Sequence, residues 1–349
     1  MSTPRRTALL VGINYRGTEN ELNGCYNDVV NVSQYLRTAL GYAPGAISVL
    51  TDGNRDSPAF PASVAPTRQN ILAGMAALVA GMVAGDEAVF HFSGHGTLVR
   101  DRNGDELTGL DSCLCPLDYN APSAAGGGVI TDDEIRALLV NKVPRGARLY
   151  VFLDCCHNGT GCDVRYKYED FSILLRPPSA RTAAIWRTQQ KAFANPKYTE
   201  TAGEVYMISG SRDEQTSADA YINNAFAGAL TYAVFAILRA NQATIRTYSW
   251  SALLRDVRYF MRANRYSQIP QLMTGRIISP ERPVFAAVAA VAAGAKGVEV
   301  SSGLQLTSSS SSSSGSVGAR GINHATTLFS FSSKPKSGMS RRGYIQFLV

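Results

Sequence analysis

Nowhere in the 349 residues do apolar side chains run on for the ~18 consecutive positions that a membrane span requires. Charge is sparse, at 17% of residues, yet the 45% apolar fraction excludes a wholly disordered chain. Cysteine is scarce as well: six in all, two of them adjacent, which is no disulfide framework. A core of this size needs neither disulfides nor metal to fold. Met1–Thr7 passes straight into an apolar run, too short for a three-part signal peptide. The expectation is an intracellular, cytoplasmic protein. At ~150 residues per domain the length allows two domains, or one α/β domain that takes most of the chain.

The net charge of +7 is unevenly placed. Residues 286–349 hold Lys296, Arg320, Lys334, Lys336, Arg341 and Arg342 against Glu299 alone, so they carry +5 and the other 285 residues only +2. No basic-aromatic interleaving stands in the body, so a nucleic-acid partner is not expected despite the basic pI. Past Pro283 the chain turns Ala/Val/Gly-rich, runs through uninterrupted serine from Ser308 to Ser314, and ends Ser/Gly/Lys-rich. Such composition cannot bury enough apolar surface to offset its ordering entropy. Two segments follow: a folded domain over 1–285 and a low-complexity basic tail over 286–349, expected to be disordered.

Within the first segment strands and helices alternate. Thr7–Ile13 (TALLVGI) is a continuous apolar run, as expected of a strand buried on both faces. Asp28–Leu40 reads as a helix closed by Gly41. Ala46–Leu50 is a second strand, and Thr67 caps a helix to about Met82. Glu87–Ser93 is a third strand, and Thr131 to Glu134 fits a capping box opening a helix to about Val140. Arg148–Asp154 and Val205–Ser209 are further strands, while Ala225–Asn241 and Trp250–Asn264 read as amphipathic helices. The alternation predicts an α/β fold, a mostly parallel sheet with helices on both faces and its site beyond the carboxyl ends of the strands.

Two strands end in chemistry-bearing residues. One runs into Ser93-Gly94-His95-Gly96, the other into Asp154-Cys155-Cys156-His157-Asn158-Gly159. As parallel neighbours they would bring a histidine beside a cysteine, the arrangement that activates a thiolate. Of the four histidines, His324 lies in the tail and His91 inside a strand. His157 follows Cys156 too closely to turn onto its sulfur. His95, with glycine on both sides, has room for a substrate backbone; the alternative is a loop histidine between turn glycines. A zinc site on Cys155, Cys156 and His157 fails, because three consecutive residues do not readily converge on one tetrahedral ion.

SGHG after one apolar strand and Asp-Cys-Cys-His-x-Gly after another, ~60 residues on, resembles the metacaspases, caspase-like clan CD cysteine peptidases. Gly24-Cys25-Tyr26-Asn27-Asp28 and Asp213 to Asp219 (DEQTSAD) extend the resemblance over about residues 5–285. The short connection between the catalytic half and the late segment is similar to type I, although no prodomain is expected, unlike in many type I members. The resemblance implies a caspase-like three-layer sandwich. It implies Cys156 as nucleophile, His95 as general acid/base, and an oxyanion held by backbone N–H groups near Gly96 and Cys156. Cys155 is then a small packed hydrophobe.

The family cleaves after Arg or Lys. Asp28 and Asp154 match its pocket acids, and Cys25 and Ser93 its pocket walls; paired carboxylates suit a guanidinium. For Asp28 alone, an acid in a helix's first turn would be the plain alternative. Many type I members are activated by calcium on four aspartates, and Asp111, Asp132, Asp133 and Asp163 fall on the matching positions. Asp132 and Asp133 would also suit a helix N-terminus without any ion. Asp101-x-Asn103-x-Asp105 is no EF-hand, since Glu106 stands where that loop needs glycine.

The expected function is therefore a calcium-dependent cysteine endopeptidase acting after Arg or Lys in protein or peptide substrates, as a monomer and away from membranes. Basic sites between Asp163 and Gly203, among them Arg165, Arg176 and Lys191, suggest self-processing; the alternative is a solvated basic loop. Asn158 departs from the family's usual serine. It also forms an Asn-Gly-Thr sequon, which has little meaning beside an intracellular catalytic cysteine. A legumain-like or gingipain-like peptidase is the second enzyme reading, opposed in the legumain case by Asp28 and Asp154. A non-proteolytic scaffold or protein-quality-control factor on the same fold is the reading from another class.

Overall fold

The computed structural model describes residues 4–53, 60, 63–106, 109–122, 127–155, 161–168, 192–195, 197–210, 219–222 and 225–285. These fall in the first of the chain's two units, Met1–Gly294. The tail assigned to 286–349, Cys156 and most of the Asp213 to Asp219 motif lie outside the described residues.

In chain order the strands are β1 (Arg6–Gly12), β2 (Ile47–Thr51), β3 (Glu87–Ser93), β4 (Gly96–Arg100), β5 (Leu110–Leu114), β6 (Ile130–Thr131), β7 (Arg148–Asp154), β8 (Tyr166–Tyr168), β9 (Ala192–Ala194), β10 (Glu204–Ser209), β11 (Asp219–Ile222), β12 (Ala225–Gly228) and β13 (Gln271–Thr274). The α-helices are α1 (Cys25–Leu40), α2 (Arg68–Val79), α3 (Asp132–Leu138), α4 (Ala229–Ala240) and α5 (Trp250–Ala263). The main sheet runs β2-β1-β3-β7-β10-β13-β8-β9. Its first five strands are parallel and the rest add antiparallel. The expected α/β class holds, with the antiparallel edge as an addition.

Alternate residues of each strand face opposite layers. Leu10, Val89, Phe152 and Ile208 pack with α1, α4 and α5, while Leu9, Phe90, Val151 and Met207 pack with α2 and α3. The helices close as their ends dictate. Gly41 takes the left-handed conformation (φ 71°) after α1 and returns its N–H to the Leu36 carbonyl. The Thr67 hydroxyl accepts from the Asn70 N–H, and Thr131 and Glu134 form the expected capping box. One expected element splits: Ala225–Gly228 is a strand and only Ala229 onward is helix, because β12 pairs with β11 before the chain turns at Gly228.

The strands are pinned in register at both ends. At the amino edge Arg6, Glu87, Arg148 and Glu204 are cross-strand partners of alternating charge. Glu87 meets Arg6 at 3.2 Å and Arg148 at 3.3 Å; Glu204 meets Arg148 and Arg282, each at 3.0 Å. At the carboxyl edge the same register aligns Gly12, Ser93 and Asp154.

His91 is fully buried in β3, with Nε2 3.1 Å from the Thr231 hydroxyl and Nδ1 without a hydrogen-bond partner. Burial lowers its pKa to about 3. The unfolded chain therefore takes up a proton below about pH 6.5 that the native ring refuses, so stability falls as pH falls. We expect a loss approaching ~1.4 kcal/mol per pH unit in acid denaturation curves, reduced in His91→Gln; equal slopes in the two proteins would refute this role of His91.

Candidate active site

The tips of β3 and β7 lie side by side because Ser93 pairs with Asp154, and the Gly94 N–H reaches the Asp154 carbonyl at 3.3 Å. The next residue on one tip is His95; the other continues through buried Cys155 towards Cys156, outside the described residues. The expected juxtaposition of the two strand ends is met.

Contacts with Tyr15 and Asn20 help to orient His95. Its N–H donates to the Tyr15 hydroxyl at 2.9 Å, and that hydroxyl donates to the Cys115 carbonyl at 2.5 Å. The two rings lie 4.7 Å apart between centroids. Nε2 is 2.7 Å from the Asn20 carbonyl. A carbonyl can only accept, so Nε2 carries the proton and Nδ1 is the basic nitrogen of the neutral ring. Asn20 is itself fixed by its amide's hydrogen bond to the Tyr119 hydroxyl at 2.7 Å. Neither Tyr15 nor Asn20 was singled out in the sequence; a tyrosine just past the first strand carries no motif. Gly96 opens β4 opposite Leu114 of β5.

Asp28 and Asp154 come together. Asp28 is fully buried in the first turn of α1 and accepts from the Ser93 hydroxyl at 2.6 Å and from the Gly228 N–H at 3.0 and 3.1 Å. Asp154 accepts from the Thr231 N–H at 2.7 Å. Both backbone donors belong to the opening of α4, where the helix dipole favours negative charge. A β-carbon on Gly228 would fall 2.2 Å from Asp154 Oδ2 and 2.7 Å from Asp28 Oδ2. The two carboxylates thus converge on one bare backbone position, with Cys25 buried at the start of α1.

A second acidic group gathers beside the β4–β5 hairpin. Asp111 lies on β5, Asp132 and Asp133 open α3, and Asp163 lies beyond β7 at φ 49°. Asp101, Asp105 and Glu106 of the hairpin loop join them. Their signal was the Asp-x-Asn-x-Asp spacing, set aside because it fails as an EF-hand. The Asp132 carboxylate accepts the Ser112 N–H at 2.8 Å, and Asp133 takes both oxygens to the Asn103 amide at 2.7 and 2.8 Å. Burial, then the charges of Asp133, Asp101 and Asp105, raises the Asp111 pKa to about 6. Burial and mutual repulsion push Asp132 and Asp163 upward as well. Oδ1 of Asp111 and Oδ1 of Asp163 are buried without a hydrogen-bond partner. Hard carboxylate oxygens left so are a donor set suited to a cation of the calcium class.

The family profile described as "Metacaspase, peptidase C14 domain" matches residues 6–165. Metacaspase-1 of Yarrowia lipolytica is 36% identical over 296 residues, 77% of this chain and 61% of that protein. Metacaspase-1 of Pyricularia oryzae is 35% identical over 311 residues, covering 81% and 75%. A solved structure of a Geobacter sulfurreducens protein aligns at TM-score 0.52 and 23% identity, over 82% of this chain and all of that one, which bears on the fold alone. No helix among the described residues is long and apolar enough to cross a membrane. The strand-tip histidine, the cysteine-bearing tip beside it and this extent of identity agree: the chain belongs to the metacaspases, a family of cysteine peptidases.

Proposed function

We propose that this chain is a calcium-dependent cysteine endopeptidase that cleaves after Arg or Lys. The observation that carries the reading is the convergence of buried Asp28 and Asp154 on Gly228, beside the tip that bears His95. Two carboxylates at the floor of a cleft select a guanidinium or ammonium and repel an acidic side chain. The donors that hold them include backbone N–H groups and the Ser93 hydroxyl, which belong to the fold and not to a substrate.

In the reaction the Cys156 sulfur attacks the scissile carbonyl while the thiol proton passes to Nδ1 of His95. The oxyanion is held by N–H groups near Gly96 and Cys156. His95 then gives its proton to the leaving amine, and a water it activates hydrolyses the thioester. The Asn20 carbonyl keeps Nε2 protonated throughout, which fixes the tautomer and stabilises the imidazolium. Asp111, Asp132, Asp133 and Asp163 would hold calcium, which supplies positive charge to carboxylates that burial and repulsion otherwise push towards protonation. The same specificity would act on basic residues of the segment between Asp163 and Gly203.

Release of a fluorophore from Arg- and Asp-terminated peptides tests the reading. We expect cleavage of the Arg peptide with millimolar calcium, none with chelator, and a loss of roughly 10³-fold or more in Cys156→Ala and His95→Ala. Asp28→Asn should lower kcat/KM for the Arg peptide by roughly 100-fold with folding intact. Calcium-independent cleavage would remove the metal from the reading, and no cleavage under any condition would favour a non-proteolytic scaffold. A second expectation concerns the chain itself: calcium should generate a fragment cut within the basic segment. Its absence from the active protein, or its persistence in Cys156→Ala, would end the self-processing proposal.

A further inference from the structure

The acidic residues beside the hairpin divide into groups. Asp101, Asp105 and Asp111 each offer an oxygen within 4.8 Å of the others. Glu106, Asp132 and Asp163 do the same and share no residue with the first group; Asp105, Asp133 and Asp163 form a third that joins the two. Oxygens about 2.4 Å from one calcium ion lie no more than about 4.8 Å apart, so each group has the span of one coordination sphere.

Each separate group also has its own unmet need. Asp111 is 4% exposed and Asp163 1%, and in each Oδ1 is buried with no hydrogen bond. A buried, unpaired carboxylate oxygen is costly unless a cation or donor meets it. Lys197 Nζ donates to the carbonyls of Gly104 at 2.7 Å and Glu106 at 3.2 Å. The loop is shaped to split its acids. Asp101 accepts the N–H groups of Asn103, Gly104 and Glu106 at 2.9, 2.6 and 3.0 Å, and the consecutive Asp105 and Glu106 then enter different groups.

We propose that the cluster binds two divalent, oxygen-seeking cations, an outer one on Asp101, Asp105 and Asp111 and an inner one on Glu106, Asp132 and Asp163, with Asp133 beside both. The inference deepens the calcium reading above and rests on it for the class of ion. The outer ion would pin the loop that follows His95 along β4; the inner one would tie α3 to the segment carrying Asp163.

The test is equilibrium dialysis of the full chain in a Cys156→Ala background, which prevents self-cleavage, against calcium alone. Two ions per chain are expected, falling to one in Asp101→Asn/Asp105→Asn. Thermal unfolding in chelator checks that the variant still folds, since Asp101→Asn also weakens the hydrogen bonds that Asp101 accepts from Asn103, Gly104 and Glu106. One ion per chain in the parent overturns the two-ion proposal and leaves the calcium reading standing. Two ions retained by the folded variant overturn the outer site. No bound ion overturns both readings. Because the parent's stoichiometry decides by itself, a variant that fails to fold does not shelter the proposal.

Discussion

Everything at the site depends on the register of three seven-residue parallel strands, β1, β3 and β7, paired residue for residue from Arg6, Glu87 and Arg148 to Gly12, Ser93 and Asp154. A slip of one residue would exchange the side chains that the two faces of the sheet present to the helix layers. It would also break the row of alternating charge at the amino edge. Those ion pairs are partly exposed, so each contributes little to stability. Like charges directly opposite would be unfavourable, however, and that penalty discriminates against wrong pairing. The carboxyl edge inherits the alignment, which is why a histidine and a cysteine some 60 residues apart in the chain belong to adjacent tips.

Buried negative charge is handled in two different ways on the two sides of these tips. Asp28 and Asp154 are met by donors built into the fold: the Ser93 hydroxyl and the backbone N–H groups that open α4. Their geometry is set before any ligand arrives, the property a specificity pocket needs. The hairpin cluster is the reverse. Its carboxylates crowd one another, and two of their oxygens have no donor at all. Left alone, such a group is strained towards protonation; given a cation, the same repulsion becomes affinity. One set of acids is preorganised and the other responsive.

The parts legible in the sequence were those fixed by local rules. The apolar runs at Thr7–Ile13, Glu87–Ser93 and Arg148–Asp154 announce buried parallel strands, and Gly41, Thr67 and Thr131 mark helix ends that are found where expected. What was not legible depends on contacts remote in sequence. Ala225–Gly228 has the composition of a helix start and becomes a strand because β11 pairs with it. Tyr15 reaches His95 across 80 positions, and Asn20 across 75. The Asp101 to Glu106 loop fails the template of a known calcium motif, yet tertiary neighbours bring its acids beside Asp111, Asp132 and Asp163.

The acidic group and His95 are close along the chain. The chain leaves His95 into β4, turns through the loop that carries Asp101, Asp105 and Glu106, and returns along β5 with Asp111. At the end of that hairpin the Cys115 N–H donates to the His95 carbonyl at 3.0 Å, and the Cys115 carbonyl accepts from Tyr15, which in turn receives the His95 N–H. The hairpin therefore starts and finishes on the histidine. Repulsion that opened its loop would be carried by two hydrogen-bonded strands to the contacts that set the His95 backbone, whereas repulsion in an unpaired surface loop would relax locally. On the proposed calcium reading, neutralising the acids would fix the hairpin, and the hairpin would fix the imidazole. Control by a cation would then need no relay across the core, because His95 and the acidic loop are consecutive parts of one small sheet.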